Sequence, residues 1–260
     1  MSYWADRMAD AQTRLTNKSI RQTEKQMRKY YASAMEKTIS DFEATYNKIL
    51  SAIEDGRQPT PADLYKLDKY WQAQAQMRAE LQKLGDKQIV LLSKQFELNW
   101  FDIYYSFGEL GDASFSSIDR PAVQQMINQI WCADGKSWSQ RIWDNISRLA
   151  DTLNEGLIHC VATGKKTTEL KKILQERFNV SYGRADSLVR TEMAHIQTQA
   201  AKQRYEDYGI QYVEVWAPKD ERQCEVCGEL HMKRYPANGT MPIPAHPRCR
   251  CCIIPVVETE

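Results

Sequence analysis

The sequence predicts a mainly α-helical protein, with elongated multi-helix N-terminal and middle regions and a small C-terminal α+β module stapled by zinc. Three observations lead to this fold class. Long stretches lack glycine and proline and repeat apolar residues at helical spacing. The pattern changes to strand-like alternation only over 211–217. Five of the seven cysteines then fall in the last quarter of the chain.

Composition bounds the class of protein without identifying a partner. The 260 residues are 42% hydrophobic and 27% charged, as in ordinary soluble proteins. Lys+Arg total 35 against 34 Asp+Glu, so the net charge of +1 favours no particular ligand. No stretch reaches 18 consecutive apolar residues, and the N-terminus has no apolar signal-peptide core. We therefore expect no membrane span and synthesis in a cytoplasm, where metal binding by cysteine is favoured over disulfides.

The N-terminal region is predicted to be helical throughout. Thr60 is a good N-cap with Pro61 at the first helical position, and Gly85 is predicted to end the helix that follows. A segment rich in glycine and serine, 108–119, is predicted to be a linker or a partner-contacting loop, with a domain boundary near it. The predicted helices cover 2–53, about 62–84 and about 87–107.

The middle region is also predicted to be helical, with turns at glycines. Gly164 forms a turn, Gly183 precedes the last long helix, and Gly209 ends it as a C-cap. The predicted helices cover about 120–131, 137–163, 167–178 and 184–208. Strands are predicted at 211–217 and 253–257, the second at a sheet edge because Pro255 lacks an N–H. The predicted domains are 1–115, 116–210 and 211–260.

A cluster of cysteine and histidine in the last region has the spacing of a structural zinc site. Cys224 and Cys227 form a C-x2-C knuckle, and after 18 intervening residues His246 and Cys249 repeat the spacing. Cys251 is an alternative fourth ligand. So small a module buries little apolar surface, and metal binding supplies folding free energy directly. The predicted cofactor is therefore a structural Zn²⁺.

Other interpretations of the cluster stay open at this point. The cysteines can form disulfides or pack unbonded in a core, with Cys252 predicted to point into that core or stay free. A catalytic zinc is disfavoured because four protein ligands leave no open position. Arg248 and Arg250 beside the cysteines allow phosphate contacts, so a zinc-containing nucleic-acid-binding protein is the main alternative. His159, His195 and His231 show no nucleophile–base arrangement; for His195 we expect instead a neighbouring Arg190–Glu192 pair that packs helix to strand.

The motifs of this region resemble those of the phage head morphogenesis, or Mu F-like minor head protein, family. The family joins an Asp-x-Arg-x-Cys-x-x-Cys element to a His-Pro-x-Cys-Arg-Cys element, and upstream the stretch Ser139–Trp143 looks like its Ser-x-Arg-Ile-Trp element. The resemblance covers about 136–255. Its ordered C-terminal elements are Arg190-Thr191-Glu192, Gly209-Ile210, a strand ending at Trp216, Asp220-Glu-Arg222-Gln-Cys224-Glu-Val-Cys227 and Pro244-Ala-His246-Pro-Arg-Cys249-Arg-Cys251.

This resemblance implies a minor head protein of a tailed bacteriophage, made in the host bacterial cytoplasm and located in the virion, in the head interior or at the portal vertex. The implied partners are the portal protein and the major capsid or scaffold protein, with packaged DNA as a further candidate. Such proteins are not usually enzymes in this short form, so we expect neither a metal-dependent enzyme nor a toxin; the toxin or enzyme domain of longer relatives is expected to be absent. We expect Asp220, Arg222 and Arg250 to bind nearby backbone or Glu192. Partner contacts are expected from Tyr3, Trp4, Trp71 and Trp100.

Overall fold

The computed structural model describes residues 3–51, 59–107 and 119–256, of which helices make up most. Of these described residues, 73% are helical, and a small strand module lies near the C-terminus, which confirms the predicted fold class. The helices are α1 (Tyr3–Ser51), α2 (Pro61–Tyr65), α3 (Asp68–Tyr105), α4 (Arg120–Ile127), α5 (Trp138–Thr163), α6 (Thr167–Asp207) and α7 (Glu225–Leu230). The strands are β1 (Tyr212–Trp216), β2 (Arg234–Pro236) and β3 (Cys252–Pro255). The predicted linker lies outside the described residues except for Asp119.

Helix α3 continues through Gly85, where the sequence predicted a helix end. A Cβ atom at this position would lie 2.4 Å from Cζ3 of Trp143, well inside contact distance. The glycine therefore allows the Trp143 ring of α5 to approach the α3 backbone, and it does not end the helix. The prediction of two helices, 62–84 and 87–107, is wrong, because this glycine makes room for a packed side chain and does not end a helix.

Helix α6 likewise runs unbroken through Gly183, so the predicted break before residue 184 is wrong. A single glycine costs a helix only about 1 kcal/mol relative to alanine. Phe178 and Ala185 on either side are both buried, so packing offsets that cost. At Gly209 the prediction is confirmed, since this residue follows the helix with a φ of +71°.

The chain forms two compact units that each draw on several parts of the sequence. The first takes the described residues of Met1–Glu24, Leu91–Trp138 and Asp186–Glu260. The second takes those of Lys25–Val90 and Ser139–Ala185. The domains predicted from the sequence, 1–115, 116–210 and 211–260, are continuous ranges, whereas each of these units combines separate segments. The predicted domains stay a prediction.

The first unit contains a three-stranded antiparallel sheet in the order β2-β1-β3. Val213 pairs with Tyr235 of β2 and Pro255 of β3, which places Pro255 on an edge strand as predicted. The Gln12 side chain donates to the Ile253 carbonyl at 2.8 Å, and the Tyr205 hydroxyl donates to the same oxygen at 3.2 Å. These bonds from α1 and α6 fix β3, whose N-terminal end adjoins the second half of the Cys/His cluster.

Of the aromatic residues expected to contact partners, Trp71 is 56% exposed and Trp100 only 4%. Trp100 stacks on Tyr104 with ring centroids 5.1 Å apart. The prediction is therefore wrong for Trp100, which belongs to the core. The side chains of Tyr3 and Trp4 lie outside the described residues.

Candidate metal centre

The first half of the candidate site is a tight turn at the start of α7. Cys224 is the N-cap residue, and its Sγ accepts a hydrogen bond from the Cys227 backbone N–H at 3.4 Å. The Cys224 carbonyl accepts from the Gly228 N–H at 2.9 Å. The turn thus directs both sulfur atoms to the same side, and its N–H group lowers the pKa of the Cys224 thiol.

The second half is the turn from His246 to Cys249, just before β3. The Cys249 N–H donates to the His246 carbonyl at 3.2 Å, with Arg248 between them at a φ of 63°. His246 Nδ1 lies 2.9 Å from the Pro247 carbonyl. Because a carbonyl only accepts, Nδ1 carries the proton and Nε2 presents a lone pair. A metal-ligating histidine is oriented by the same kind of bond from its second ring nitrogen.

The two halves bring the predicted ligands together. His246 Nε2 lies 3.2 Å from Cys224 Sγ and 3.1 Å from Cys227 Sγ, and Cys227 Sγ lies 3.8 Å from Cys249 Sγ. Zinc–sulfur bonds of about 2.3 Å at a tetrahedral angle place two sulfurs about 3.8 Å apart. Cys224, Cys227 and His246 form one group with metal-ligand spacing, and Cys227, Cys249 and Cys251 form a second that shares Cys227. The donor types, thiol and imidazole, are those that zinc prefers. The four predicted ligands do not all fall in one group, because Cys249 belongs to the group without Cys224 and His246.

The protonation of the thiols differs within the cluster. Hydrogen bonds from the Cys251 thiol and backbone N–H lower the pKa of Cys249 to about 5. Donation to Cys249 raises the pKa of Cys251, and burial raises the pKa of Cys227 to about 12. Deprotonation is thus favoured at Cys249 over Cys251, while a metal must displace the proton of Cys227.

The remaining cysteines of the region take different places. Cys251 lines a cavity of about 40 Å³ together with Cys224, Cys227 and His246. Cys252 points into the core and packs with Ala9 and Ile254. Burial raises the pKa of the Cys252 thiol to about 12, and among the described residues Cys252 belongs to neither group of possible metal ligands. Cys251 therefore stays an alternative to Cys249 as fourth ligand.

Two ion pairs hold the loops of the site. Arg250 binds Asp220 through both guanidinium nitrogens at 2.6 Å, which lowers the pKa of that carboxyl to about 2. Asp220 also accepts from the Arg222 backbone N–H at 3.0 Å. This confirms the expected contact with nearby backbone. The side-chain partner of Asp220 is Arg250 and not Glu192, which the sequence predicted as the alternative to backbone.

Arg248 connects the second loop to α6. Its side chain lies 2.8 Å from Asp186, and its backbone N–H donates to Thr191 Oγ1 at 3.1 Å. The sequence does not indicate these contacts, because neither Asp186 nor Thr191 belongs to a metal-binding or catalytic motif. They fix the register of the ligand loop against the helix.

The predicted Arg190–Glu192 pair is wrong. Arg190 binds Asp186 at 3.2 Å and also Glu24 of α1. Glu192 accepts a hydrogen bond from Trp131 Nε1 at 2.9 Å. The reason is helix geometry: positions i and i+2 point in different directions, whereas i and i+4 share a face.

The other histidines lie apart from the ligand groups found among the described residues. His195 stacks on Trp131 with ring centroids 4.2 Å apart. His231 Nδ1 accepts from the Ala217 N–H at 3.2 Å. His159 is exposed on α5.

Comparisons with known proteins support one family. Residues 151–254 match the family model described as Phage Mu protein F like protein, which confirms the Mu F-like resemblance. The matched segment contains all five candidate ligands. Among curated proteins, the chain is similar to the NAD(+)--arginine ADP-ribosyltransferase EFV of Enterococcus faecalis (strain ATCC 700802 / V583).

That similarity is 24% identity over 186 residues, which is 64% of this chain and 38% of the relative. The chain thus spans well under half of the length of this relative. No solved structure matches. Among the described helices, none combines the length and apolarity that crossing a bilayer requires.

Proposed function

We propose that this chain is a minor head protein of a tailed bacteriophage, a non-enzymatic component of the virion that supports procapsid assembly and DNA packaging or delivery. The observation that carries the proposal is the match of residues 151–254 to the Mu F-like family. The matched segment spans the ligand cluster and the helix to which Arg248 attaches it. The expected partners are the portal protein and the major capsid or scaffold protein of the same phage.

We also propose that the Cys/His cluster of this chain holds a structural zinc ion. Cys224, Cys227, His246 and Cys249 hold the ion, with Cys251 as the alternative fourth ligand. When bound, zinc joins the α7 turn to the loop before β3 and contributes folding free energy that the small strand module cannot obtain from its core. Cys224 and Cys227 supply one side of the site, while Arg250–Asp220 and Arg248–Asp186 hold its loops in place.

The proposed set of four ligands favours this structural role over catalysis. Four protein ligands close a zinc coordination shell, and a catalytic zinc needs a position for water or substrate. His195, for which the sequence shows no nucleophile–base arrangement, is packed flat against Trp131. The ADP-ribosyltransferase activity named for the Enterococcus faecalis relative is therefore not proposed for this chain.

The head-protein proposal is tested by deleting the coding sequence from the phage that carries it. We expect purified wild-type particles to contain the chain by mass spectrometry. The deletion is expected to reduce particles with filled heads in electron micrographs, with recovery on complementation in trans. Particles that lack the chain but keep normal yield and infectivity would overturn the proposal.

The metal is tested separately on the purified full chain. We expect about one zinc per chain by elemental analysis, and a loss of most of it in Cys224→Ser. Cys132→Ser is the matched control, because Cys132 lies apart from both ligand groups. Less than about one zinc per two wild-type chains, with Cys224→Ser unfolding like the wild type, contradicts the metal site.

A further inference from the structure

A cavity of about 650 Å³ lies beside the metal centre within the first unit. Its walls come from α1, α6 and the two ligand loops. Four arginines and one carboxylate, Asp220, line it. The arginines are Arg190, Arg222, Arg248 and Arg250.

The four arginines differ in whether they form ion pairs with carboxylates of the protein. Arg190 is bound by Glu24 and Asp186, and Arg250 by Asp220. Arg222 is exposed, and its guanidinium makes no hydrogen bond or ion pair with any residue that the structure describes. Half of the Arg248 side chain, 51%, is also exposed beside its contact with Asp186. Arg222 therefore leaves a cationic donor for a ligand at the cavity, and the half-exposed Arg248 side chain also lines it.

A buried hydroxyl at the cavity wall is unsatisfied. Thr16 of α1 is 5% exposed, and its Oγ1 has no hydrogen-bond partner among the described residues. Two other buried threonines of these helices bond to the carbonyl four residues earlier, Thr23 to Ser19 at 2.8 Å and Thr198 to Ala194 at 3.0 Å, whereas Thr38 of α1 is unsatisfied like Thr16. A buried hydroxyl without a hydrogen bond lowers the stability of the fold unless a ligand or a water molecule bonds to it. Thr16 lines the cavity, and its Oγ1, which has almost no exposed surface, reaches a bound oxyanion once the side chain rotates.

We propose that this cavity binds phosphate groups, with Arg222 and Arg248 as the cationic donors and Thr16 as the neutral donor at its wall. Guanidinium groups match the paired oxygens of phosphate, and a hydroxyl donor completes such a site. The cavity is larger than a single phosphate, so the ligand carries either several phosphates or a sugar–phosphate backbone. The phosphate groups come either from free inorganic phosphate or from the backbone of DNA. The inference does not depend on the head-protein proposal.

The test uses the zinc-loaded full chain with two probes, inorganic phosphate and a 20-base-pair DNA duplex, at low and increasing salt. We expect Arg222→Ala to weaken binding about tenfold, since a charge-assisted contact is worth roughly that factor. On DNA, Arg222→Ala is also expected to lower the slope of log affinity against log salt by about one. Binding of phosphate with no binding of DNA assigns the site to the free anion, and binding of DNA assigns it to the backbone.

Thr16→Val separates binding from folding. This change removes the hydroxyl at nearly constant volume, and because the hydroxyl has no partner we expect unfolding free energy to stay the same or rise. Phosphate or DNA binding should nevertheless weaken about fivefold, as loss of one hydrogen bond to an anion requires. Arg177→Ala, an equal charge change at an exposed position of α6 outside the cavity, should alter binding less than twofold.

Two results would overturn the inference. One is no binding of either probe at low salt. The other is binding that Arg222→Ala and Thr16→Val weaken no more than Arg177→Ala does, which would leave only general charge attraction. Neither result bears on the presence of the chain in phage particles, so failure here is distinguishable from failure of the proposed function.

Discussion

At the scale of single residues, the half-buried imidazole of His195 links stability to pH. Burial lowers the pKa of His195 to about 4, below the 6.5 of an exposed imidazole. The unfolded chain therefore takes up this proton at a higher pH than the folded chain. The contribution to stability is complete above about pH 6.5, falls as the pH drops, and is lost below about 4.

The corresponding prediction concerns His195→Phe, which keeps a ring against Trp131. Between pH 6.5 and 4, we expect the unfolding free energy of this variant to fall by about 3 kcal/mol less than that of the wild type, as an upper bound. Urea unfolding at several pH values measures the difference. His159→Gln, at an exposed site, should follow the wild type. A variant whose pH dependence equals that of the wild type contradicts the role assigned to His195.

A second residue-scale prediction distinguishes the two candidate fourth ligands. We expect Cys249→Ser to lose zinc affinity by more than about tenfold, because Cys249 has thiolate character and lies 3.8 Å from Cys227 Sγ. Cys251→Ser should keep most of the affinity. Competition with a chromophoric zinc chelator measures both. The reverse order would assign the position to Cys251, which lines the small cavity between the other ligands.

At the scale of elements, two glycines inside long helices differ in the space around their Cα atoms. Gly85 of α3 faces the Trp143 ring, where a Cβ would come within 2.4 Å, whereas a Cβ at Gly183 of α6 would have nothing within 4 Å. We expect Gly85→Ala to lower the unfolding free energy by about 1–3 kcal/mol through overpacking. Gly183→Ala should raise it by about 0.5–1 kcal/mol through helix propensity.

Thermal or urea unfolding of the two variants tests this contrast. Both variants replace a helical glycine by alanine, so propensity alone predicts the same sign for both. Stabilisation by Gly85→Ala would show that the Trp143 ring moves aside at little cost. Destabilisation by Gly183→Ala would show that α6 needs the glycine.

At the same scale, the sequence predicted helices and strands from their periodicity but misjudged where glycine interrupts them. Hydrophobic spacing correctly indicated α1, α5, β1 and β3. It missed α7 and β2, with six and three residues, because neither is long enough to show a period. Both form through contacts of the fold: Cys224 caps α7, and β2 pairs with β1.

At the scale of the whole molecule, we expect metal removal to affect the strand module more than the long helices. The module depends on its ligand loops, whereas α1, α3, α5 and α6 bury many large apolar side chains. Chelation should therefore leave the far-UV helical signal largely intact. It should lower hydrogen-exchange protection at β1 and β3, which the ligand loops flank.

Hydrogen exchange with mass spectrometry checks this prediction, with zinc added back as the control. Unchanged protection of β1 and β3 after complete metal removal would show that the sheet is held by Gln12, Tyr205 and its own core. Loss of the helical signal throughout the chain would show that the metal supports far more than the module.

The sequence by itself determined the mainly α class, the position of the C-terminal strands and the five candidate ligands, because periodicity and ligand spacing are local properties of the chain. Only the tertiary structure decided that Gly85 accommodates Trp143, that Arg248 binds Asp186, and that Arg222 and Thr16 line one cavity. Each of these depends on residues far apart in sequence. Their proximity is set by how the helices pack, which no local pattern records.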